Sequence, residues 1–347
     1  MKKGLISVFL SFFIFLCSVF TSDIQTEAAG KNVVVVIDPG HGGEGEKNLG
    51  AQYNGFSEKE LTLKVANAMK NELEQYENVT VYLTRTEDVK ISLEDRAEFA
   101  KSVNADFVFS IHFNASLVHE FYGSEIWAPS SGSFYQKGYN FGLIEMNELA
   151  SLGLYQKGVK TKVGKNGDYY GIIRACVARD IPCDIIEHAY LDHGYDLQLL
   201  NSPDFFTKLG VADATAVAKY FKLKSSSKNV DYSKYASVSV KKPSNRVYQD
   251  TSAPEKCSIS LIKYDKASRN ALIEMSVKDS QSPVIYFSYS VDGGKTFCTL
   301  QMWDQTKDTQ GFNVNIPAVM NTADIVLRAY NNYELFTQSN EVKIETR

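Results

Sequence analysis

The sequence predicts an α/β domain, in which helices flank a sheet, followed by a smaller all-β sandwich. Three apolar runs that end in turn or charged residues are typical of buried strands: NVVVVIDPGHGG at 32–43, DFVFSIHFNAS at 106–116 and IPCDIIE at 181–187. Segments with apolar residues at helical spacing separate these runs, which favours a sheet covered by helices. From residue 254 onward short alternating runs recur about every eight to twelve residues, as in a sandwich.

The first 29 residues have the pattern of a secretory signal peptide. Lys2 and Lys3 form its charged start, residues 5–20 form its apolar centre, and Ala28 and Ala29 permit cleavage. A retained membrane anchor is the alternative, although this apolar run is short for a membrane span. After removal of the signal we expect a secreted, extracellular protein with no membrane partner.

Length and charge limit the classes of function. A chain of 347 residues is long enough for two domains. The net charge of −4 and the pI near 5.8 argue against nucleic acid as a main partner. We divide the chain into the signal peptide at 1–29, an α/β domain at 30–222, a polar Ser- and Lys-rich linker at 223–253, and the sandwich at 254–347.

The first helix is predicted to begin at Glu58, after a glycine-containing loop at 44–57. Ser57 and Glu60 form a capping box, in which a hydroxyl and a carboxylate bond free N–H groups of the first helical turn. Glu60 therefore has a structural role, and Glu58 is free to bind a ligand. The alternative for Glu58 is a favourable charge at the amino end of a helix.

Two of the five histidines, His41 and His112, follow or end buried strands of the predicted sheet. Open α/β sheets bind ligands at the carboxyl ends of their strands. Two imidazoles and the Glu58 carboxylate form a three-ligand set that suits a catalytic Zn²⁺ with an open fourth position. The alternative is a glycine-rich turn with an incidental histidine. Asp38 and Asn114 either orient the ligands or are turn residues.

The other elements complete the α/β domain. Strands are predicted at 79–85 and 123–129, and a basic turn with a short strand at 156–162. Helices are predicted at 91–105, 133–152 and 203–222, and a helix or helical turn at 168–178. Arg85 and Arg96 are interpreted as structural ion-pair formers. The strand at 181–187 ends at Glu187, a carboxylate that can handle protons in a hydrolase. His188 points to the other face of that strand and is interpreted as packed or hydrogen-bonded.

The last 94 residues contain seven short runs that fit an immunoglobulin-like or fibronectin type III-like sandwich: CSISLIKY, ALIEMSVK, VIYFSYSVD, TFCTLQMW, GFNVNIP, DIVLRAYN and EVKIET. Asp292, Gly293 and Gly294 predict a hairpin turn. No catalytic constellation is visible in this part of the sequence, and its ligand is unknown. Cys257 and Cys298 either form a disulfide or remain free thiols.

Six motifs in order give the chain a resemblance to a known family. They are DPGHGG at 38–43, GFSEK at 55–59, Thr-Arg at 84–85, Leu-x-x-Arg at 93–96, SIHFNA at 110–115 and IPCDIIEHAYLDH at 181–193. With these motifs the segment from about residue 31 to 222 resembles the zinc-dependent N-acetylmuramoyl-L-alanine amidases of bacterial cell walls. After Glu187 the family often has a small residue, Gly-Phe and a Ser-Asn pair, from which this chain departs.

The resemblance implies a function and a site. The zinc ligands fall on His41, Glu58 and His112, and the catalytic carboxylate falls on Glu187. The implied reaction is hydrolysis of the amide between N-acetylmuramic acid and L-alanine, with the glycan strand and stem peptide of peptidoglycan as partners and the cell wall as location. Two alternatives remain: another zinc amide hydrolase or peptidase, and a non-catalytic wall-binding protein whose metal site is vestigial.

Overall fold

A computed structural model describes residues 32–346 of the protein. The predicted signal peptide lies outside these residues. None of the helices in the described range combines the length and the apolar composition that a membrane crossing requires.

The elements of the α/β part are, in chain order, β1 (Val33–Pro39), α1 (Glu46–Leu49), β2 (Gln52–Tyr53), β3 (Phe56–Ser57), α2 (Glu58–Leu73), β4 (Val79–Leu83), α3 (Leu93–Ser102), β5 (Phe107–Asn114), β6 (Ser124–Trp127), α4 (Gly132–Ser151), β7 (Gln156–Lys160), β8 (Val163–Gly164), β9 (Gly167–Asp168), α5 (Gly171–Val177), β10 (Cys183–Tyr190), α6 (Gly194–Leu200) and α7 (Phe205–Phe221). Six strands form a sheet in the order β4-β1-β5-β10-β6-β7. Neighbouring strands are parallel except β10 and β6, which are antiparallel. The predicted fold class of a sheet with flanking helices is confirmed.

Both faces of this sheet are covered by helices, because its central strands are apolar on both sides. Val35 and Ile37 belong to one core, which includes buried residues of α2, α4 and α7. Val36 points the other way and belongs to a second core with residues of α3 and α5. The strict alternation along β1 therefore follows from the period of two in an extended chain.

The strand order places a topological switch point beside β1. The chain runs from β1 to β4 on one side and then crosses to β5 on the other side of β1. At such a point the two connections leave in opposite directions and open a crevice at the carboxyl ends of the strands. The DPGHGG motif follows β1, and His112 lies near the end of β5.

Most predicted elements are present, with shifts of a few residues at their ends. The helix predicted at 91–105 begins at Leu93, and Ser92 caps it by accepting a hydrogen bond from the Asp95 N–H at 3.1 Å. The capping box predicted at Ser57 is wrong in its detail. Ser57 is the residue before α2, but its side chain makes no capping bond and accepts from Gln52 Nε2 at 3.0 Å instead.

The segment predicted as a linker, 223–253, starts with the two-residue strands β11 (Lys224–Ser225) and β12 (Val230–Asp231). It then runs along the α/β part in extended form. The Val247 N–H donates to Ser130 O at 2.7 Å, and the Val247 carbonyl accepts from Thr161 Oγ1 at 2.9 Å. These bonds fix the path of the segment near β7.

The C-terminal region consists of antiparallel sheets built from β13 (Lys256–Asp265), β14 (Asn270–Lys278), β15 (Val284–Ser290), β16 (Gln301–Met302), β17 (Thr309–Asn315), β18 (Thr322–Asn331), β19 (Phe336–Gln338) and β20 (Val342–Glu345). One sheet has the order β13-β14-β17, and the other has the order β16-β15-β18-β19 with β20 also paired to β18. Alternate residues of both sheets share one apolar core, as the two-residue period predicts. Cys257 and Cys298 are free thiols.

The C-terminal region packs on the α/β part through aromatic residues. Tyr122 and Tyr190 share an apolar cluster with Ile285 and Tyr286. The Tyr286 hydroxyl donates to the Tyr122 carbonyl. Tyr155 donates its hydroxyl hydrogen to carbonyl oxygens of the C-terminal region, Ile285 O and Trp303 O. These contacts bring the C-terminal region to the edge of the sheet that β6 and β7 form.

Candidate metal centre

Three side chains that could bind a metal converge at the switch point. One donor atom each from His41, Glu58 and His112 lies within 4.8 Å of the other two. Glu58 Oε1 is 3.2 Å from His41 Nε2 and 3.0 Å from His112 Nδ1. The structure thus brings together all three residues that the sequence nominated as ligands.

Glu58 is fixed by the backbone around it. Its Oε1 accepts a hydrogen bond from the Phe113 N–H at 3.1 Å, and its Oε2 accepts one from the Ala51 N–H at 2.7 Å. Burial of the carboxyl group raises its pKa, but hydrogen bonds and charge from His112 and His41 outweigh burial and lower the pKa below the usual value. Glu58 is therefore held as an anion between two imidazoles.

This donor set fits zinc. Tetrahedral zinc with bonds of about 2.0–2.1 Å places its ligand atoms about 3.3 Å apart, close to the separations of Glu58 from the two imidazoles. Two imidazole nitrogens and one carboxylate oxygen are ligands that catalytic zinc sites use, and they leave a fourth position open. The Glu58 carboxylate, which lies within hydrogen-bond distance of both imidazole rings, would bind the cation through its negative charge.

Two glycines make room for these ligands. A Cβ atom on Gly40 would lie 2.3 Å from Cε1 of the His112 ring, and one on Gly50 would lie 2.4 Å from Glu58 Oε2. Both approaches are closer than any side chain allows, so the backbone can pass the ligands only where the residue is glycine. His41 itself has a φ of 60°, a left-handed conformation that turns its side chain out of the strand direction.

Two buried arginines hold the loop that carries His41. Arg96 pairs with Asp38 at 2.6 Å and donates to the Pro39 and His41 carbonyls at 2.8 and 2.6 Å. Arg85 donates to the Pro39 and Gly40 carbonyls, at 2.9 Å each. Arg96 forms the structural ion pair that the sequence predicted, whereas Arg85 has no ion pair within residues 32–346 and instead bonds backbone carbonyls and the Thr62 hydroxyl.

Asp38 does not orient the ligands by direct contact. It accepts hydrogen bonds from Thr84, Arg96 and Ser110. Burial raises the pKa of Asp38, but the Arg96 guanidinium and the two hydroxyls overcome that effect and lower it. Asn114, the other candidate, donates to Glu125 Oε1 at 3.0 Å. Both residues therefore support the surroundings of the metal site rather than its imidazoles.

Glu187 lies next to the metal site on the sheet. The register pairs Glu187 of β10 with His112 of β5 on one side and with Glu125 of β6 on the other. Paired residues of neighbouring strands point to the same face, so the three side chains form a row across the sheet. The Oε2 atom of Glu187 is buried and has no hydrogen-bond partner among residues 32–346.

The surroundings of Glu187 favour its protonated form. Burial raises the pKa of Glu187 well above its usual value, and the charges of Glu58 and Glu125 act in the same direction. Lys157 and Lys160 oppose these effects without cancelling them. A carboxyl group in such a site exchanges a proton closer to neutral pH than an exposed one does.

His188 has the packed role that strand alternation predicted. Its side chain is fully buried, with Nε2 3.0 Å from Asp213 Oδ1 and Nδ1 3.1 Å from the His112 carbonyl. His188 lies on the face of β10 opposite to Glu187 and is not one of the three potential metal ligands.

The sequence did not single out a buried charge cluster beside Glu187. Lys160 Nζ lies 2.5 Å from Glu125 Oε2, and Lys157 Nζ lies 3.2 Å from the same oxygen. Lys157 also pairs with Glu334 of the C-terminal region at 2.5 Å. The available signal for Glu125 was its position as a single glutamate within the apolar run GSEIWAP. The segment QKGVKTK, which contains Lys157 and Lys160, has the composition of an exposed turn and does not predict that these lysines are buried.

Comparison with known proteins gives a consistent result for residues 35–219, which match the sequence profile of the N-acetylmuramoyl-L-alanine amidase family. The N-acetylmuramoyl-L-alanine amidase CwlM of Bacillus licheniformis is 31% identical over 195 residues, which cover 55% of this chain and 70% of that protein. The sporulation-specific N-acetylmuramoyl-L-alanine amidase of Bacillus subtilis (strain 168) is 30% identical over 199 residues, covering 56% and 71%.

A solved structure gives a similar result. Cwp6 from Clostridium difficile is 26% identical, with a TM-score of 0.51, over 55% of this chain and 30% of that chain. The match of the family profile ends before the segment 223–253 and the C-terminal sheets.

Proposed function

Because the chain belongs to the N-acetylmuramoyl-L-alanine amidase family and is a peptidoglycan amidase, we propose that it cleaves the amide between N-acetylmuramic acid and L-alanine with zinc held by His41, Glu58 and His112. The observation that carries this proposal is the convergence of three donor atoms within 4.8 Å, beside Glu187, whose buried Oε2 has no hydrogen-bond partner among residues 32–346. Zinc, when bound there, would polarise the scissile carbonyl and make water acidic enough to lose a proton near neutral pH.

Glu187 is the residue that we propose to move the proton. Its register neighbour is His112, so a water or substrate amide at the metal site is within reach of its carboxylate. The raised pKa of Glu187 suits a group that first accepts a proton from water and then gives it to the leaving amine. Its buried Oε2 has no competing partner in the described part of the chain, which leaves it free for this exchange.

Peptidoglycan lies outside the cytoplasmic membrane, so the proposed reaction agrees with the export predicted from residues 1–29. The sequence signal and the substrate together support a secreted protein that acts on the cell wall. Glycan strand and stem peptide are then its partners.

The test is digestion of purified peptidoglycan by the zinc-loaded full chain, with mass spectrometry of the products. We expect free peptides that begin with L-alanine and intact glycan that carries lactyl carboxylates. Glu187→Gln should keep its zinc content and lose about 10²–10⁴-fold in rate, the usual contribution of general acid–base catalysis. Glu94→Gln, a change at an exposed carboxylate paired with Arg179, is the matched control and should retain the rate.

Three outcomes separate the proposal from its rivals. Cleavage inside the stem peptide would assign the protein to the zinc peptidases. Absence of cleavage by a zinc-loaded protein that binds peptidoglycan would favour the wall-binding alternative. Full activity of Glu187→Gln would remove Glu187 from the mechanism and leave the rest of the proposal in place.

A further inference from the structure

The C-terminal region forms one side of a cavity next to Glu187. This cavity, which we call the cleft cavity, has a volume of 640 Å³. Glu187, Trp127 and Lys162 line it from the α/β part, whereas Tyr333 and Glu334 line it from the turn at 331–335. A cavity of this size lies within the usual range for ligand pockets.

The 331–335 turn is held rigidly within the C-terminal region. Asn331 is fully buried, and its Nδ2 donates to Ser252 O and Asp279 Oδ2 at 3.0 Å each. Its Oδ1 accepts hydrogen bonds from the Tyr333 and Leu335 N–H groups, at 3.1 Å each. One side chain therefore fixes both ends of the turn and presents the residues between them.

The same turn is attached to the α/β part at the floor of the cavity. Glu334, which has a φ of 67°, accepts from Lys157 Nζ at 2.5 Å and from the Tyr190 hydroxyl at 2.9 Å. Lys160 Nζ donates to the Asn332 carbonyl at 2.8 Å. A left-handed glutamate is a costly conformation that only a surrounding network maintains. The side of the cavity is thus built before any ligand arrives.

Lys162 and Asp250 both line the cavity, and neither forms an ion pair within residues 32–346. Glu125 and Glu334 are neutralised by Lys157 and Lys160. Lys162 is half-buried, its Nζ lies 4.2 Å from the centre of the Tyr169 ring, and no carboxylate of residues 32–346 lies within ion-pair distance of it. The Asp250 carboxylate already accepts hydrogen bonds from Ser252 and Ser282, so Lys162 is the lining cation that remains open to an anionic group.

The aromatic rings of the cavity do not form an open platform for a sugar. The ammonium of Lys160 lies 4.5 Å from the centre of the Trp127 ring and 5.4 Å from that of Tyr333. Trp127 also packs on Tyr170 at a centroid distance of 5.0 Å. Because the rings contact a cation and each other, the cavity suits a polar chain with a carboxylate better than it suits a glycan.

We propose that the cleft cavity binds the stem-peptide part of the substrate, that Lys162 receives a carboxylate of that peptide, and that the 331–335 turn forms the opposite side of the site. The C-terminal region is then part of the substrate site and a determinant of peptide specificity. This inference rests on the proposed amidase function, because it assigns the cavity to the peptide on the leaving side of the cleaved amide.

The first test uses two soluble muramoyl peptides that differ only in a free carboxylate or a carboxamide on the residue after L-alanine. The unsubstituted protein should prefer the carboxylate by about tenfold in kcat/KM, the size of a charged hydrogen bond. Lys162→Met should abolish the preference by lowering kcat/KM on the carboxylate peptide to the value on the carboxamide peptide. Lys165→Met, a change at a nearby exposed lysine outside the cavity, should retain it. Equal cleavage of both peptides by the unsubstituted protein would overturn the role of Lys162.

The second test reads out binding without turnover. A peptide that begins with L-alanine and carries a photoreactive diazirine on its third residue is bound to the full-length Glu187→Gln variant and cross-linked. Modified residues at 249–251 or 331–335 would support the inference. Cross-links confined to the α/β part, or competition by a peptide-free disaccharide, would overturn it.

The two tests also separate this inference from the function on which it rests. Failure of the unsubstituted protein to cleave either muramoyl peptide would contradict the amidase proposal. Cross-linking to the 331–335 turn in the same preparation would still establish the peptide site.

Discussion

Replacing Arg96 by methionine should destabilise the fold through the charge that it leaves behind. Arg96 and Asp38 are only 4% and 1% exposed, and their ion pair measures 2.6 Å. Methionine keeps most of the apolar stem of arginine but removes the guanidinium. A buried carboxylate that loses its partner costs about 3–5 kcal/mol in the free energy of unfolding. We expect a loss of this size at pH 7.

The double variant Arg96→Met/Asp38→Asn tests whether the uncompensated charge is the cause. An asparagine can accept from one of the two hydroxyls, Thr84 or Ser110, with its single carbonyl oxygen and can donate from its NH2 to the hydroxyl oxygen of the other, but it carries no charge to bury. It should recover about 1–3 kcal/mol of the loss, the penalty for an unsatisfied buried polar or charged group. The remainder reflects the Pro39 and His41 carbonyls, which lose their donor in both variants.

The pH dependence of the loss follows from the two pKa values of Asp38. In the unsubstituted protein the pKa is lowered, so ionised Asp38 stabilises the fold above about pH 4, and this stabilisation disappears as the pH falls through the lowered pKa. In Arg96→Met the strongest remaining effect is burial, which raises the pKa. Ionisation then costs free energy at pH 7 and costs nothing below about pH 4. The difference between the two proteins should therefore shrink as the pH falls from 7 to 4.5.

The assay is urea unfolding followed by circular dichroism at both pH values. A chelator is present throughout, so that metal binding adds no stability to any variant. The single and double variants are compared at equal protein concentration. Unfolding of Arg96→Met and of the double variant at the same urea concentration at pH 7 would show that the uncompensated charge of Asp38 is not the cause of the loss.

Two further predictions concern the site itself. Activity should fall as the pH drops through the pKa of Glu187, because this residue must lose its proton to act as a base. Burial raises that pKa well above 4.5. A profile of kcat/KM against pH with no acid limb above pH 5 would contradict this prediction. Gly40→Ala should weaken zinc affinity at least about tenfold, because its Cβ would lie 2.3 Å from the His112 ring. Gly194→Ala is the control and should keep the affinity, since nothing lies within 4 Å of a Cβ there. Metal titration of both variants measures the difference.

The sequence was a good guide where a local pattern decides the structure. Continuous apolar runs predicted β1, β5 and β10, because a strand buried on both faces needs such a run. The positions of His41 and His112 at strand ends followed from the same runs. Alternation also placed His188 away from Glu187, and the buried bond to Asp213 agrees with it.

The sequence was a poor guide where distant segments decide the structure. Lys157 and Lys160 lie in a segment with the composition of an exposed turn, yet Glu125 and Glu334 allow both to be buried. Glu334 is 177 positions from Lys157, and no periodicity connects the two residues. The prediction of a Ser57 cap was wrong for a more local reason. The Ser57 hydroxyl accepts a hydrogen bond from Gln52 on the opposite strand of the β2-β3 hairpin and does not cap α2.

The environments of two glutamates support the different roles that we propose for them, independently of any family resemblance. Glu58 and Glu187 are both shielded from solvent near His112, but hydrogen bonds from two imidazoles lower the pKa of Glu58, whereas burial and neighbouring acids raise that of Glu187. A carboxyl group with a lowered pKa stays ionised and suits a metal ligand. One with a raised pKa can take up and release a proton near neutral pH. If Glu187 were the ligand and Glu58 the proton carrier, Glu187 would have to stay ionised in a buried site beside other acids. Glu58 would have to be protonated although two imidazoles stabilise its ionised form. The positions of the hydrogen-bond donors therefore support our proposal that Glu58 is a metal ligand and Glu187 the proton carrier.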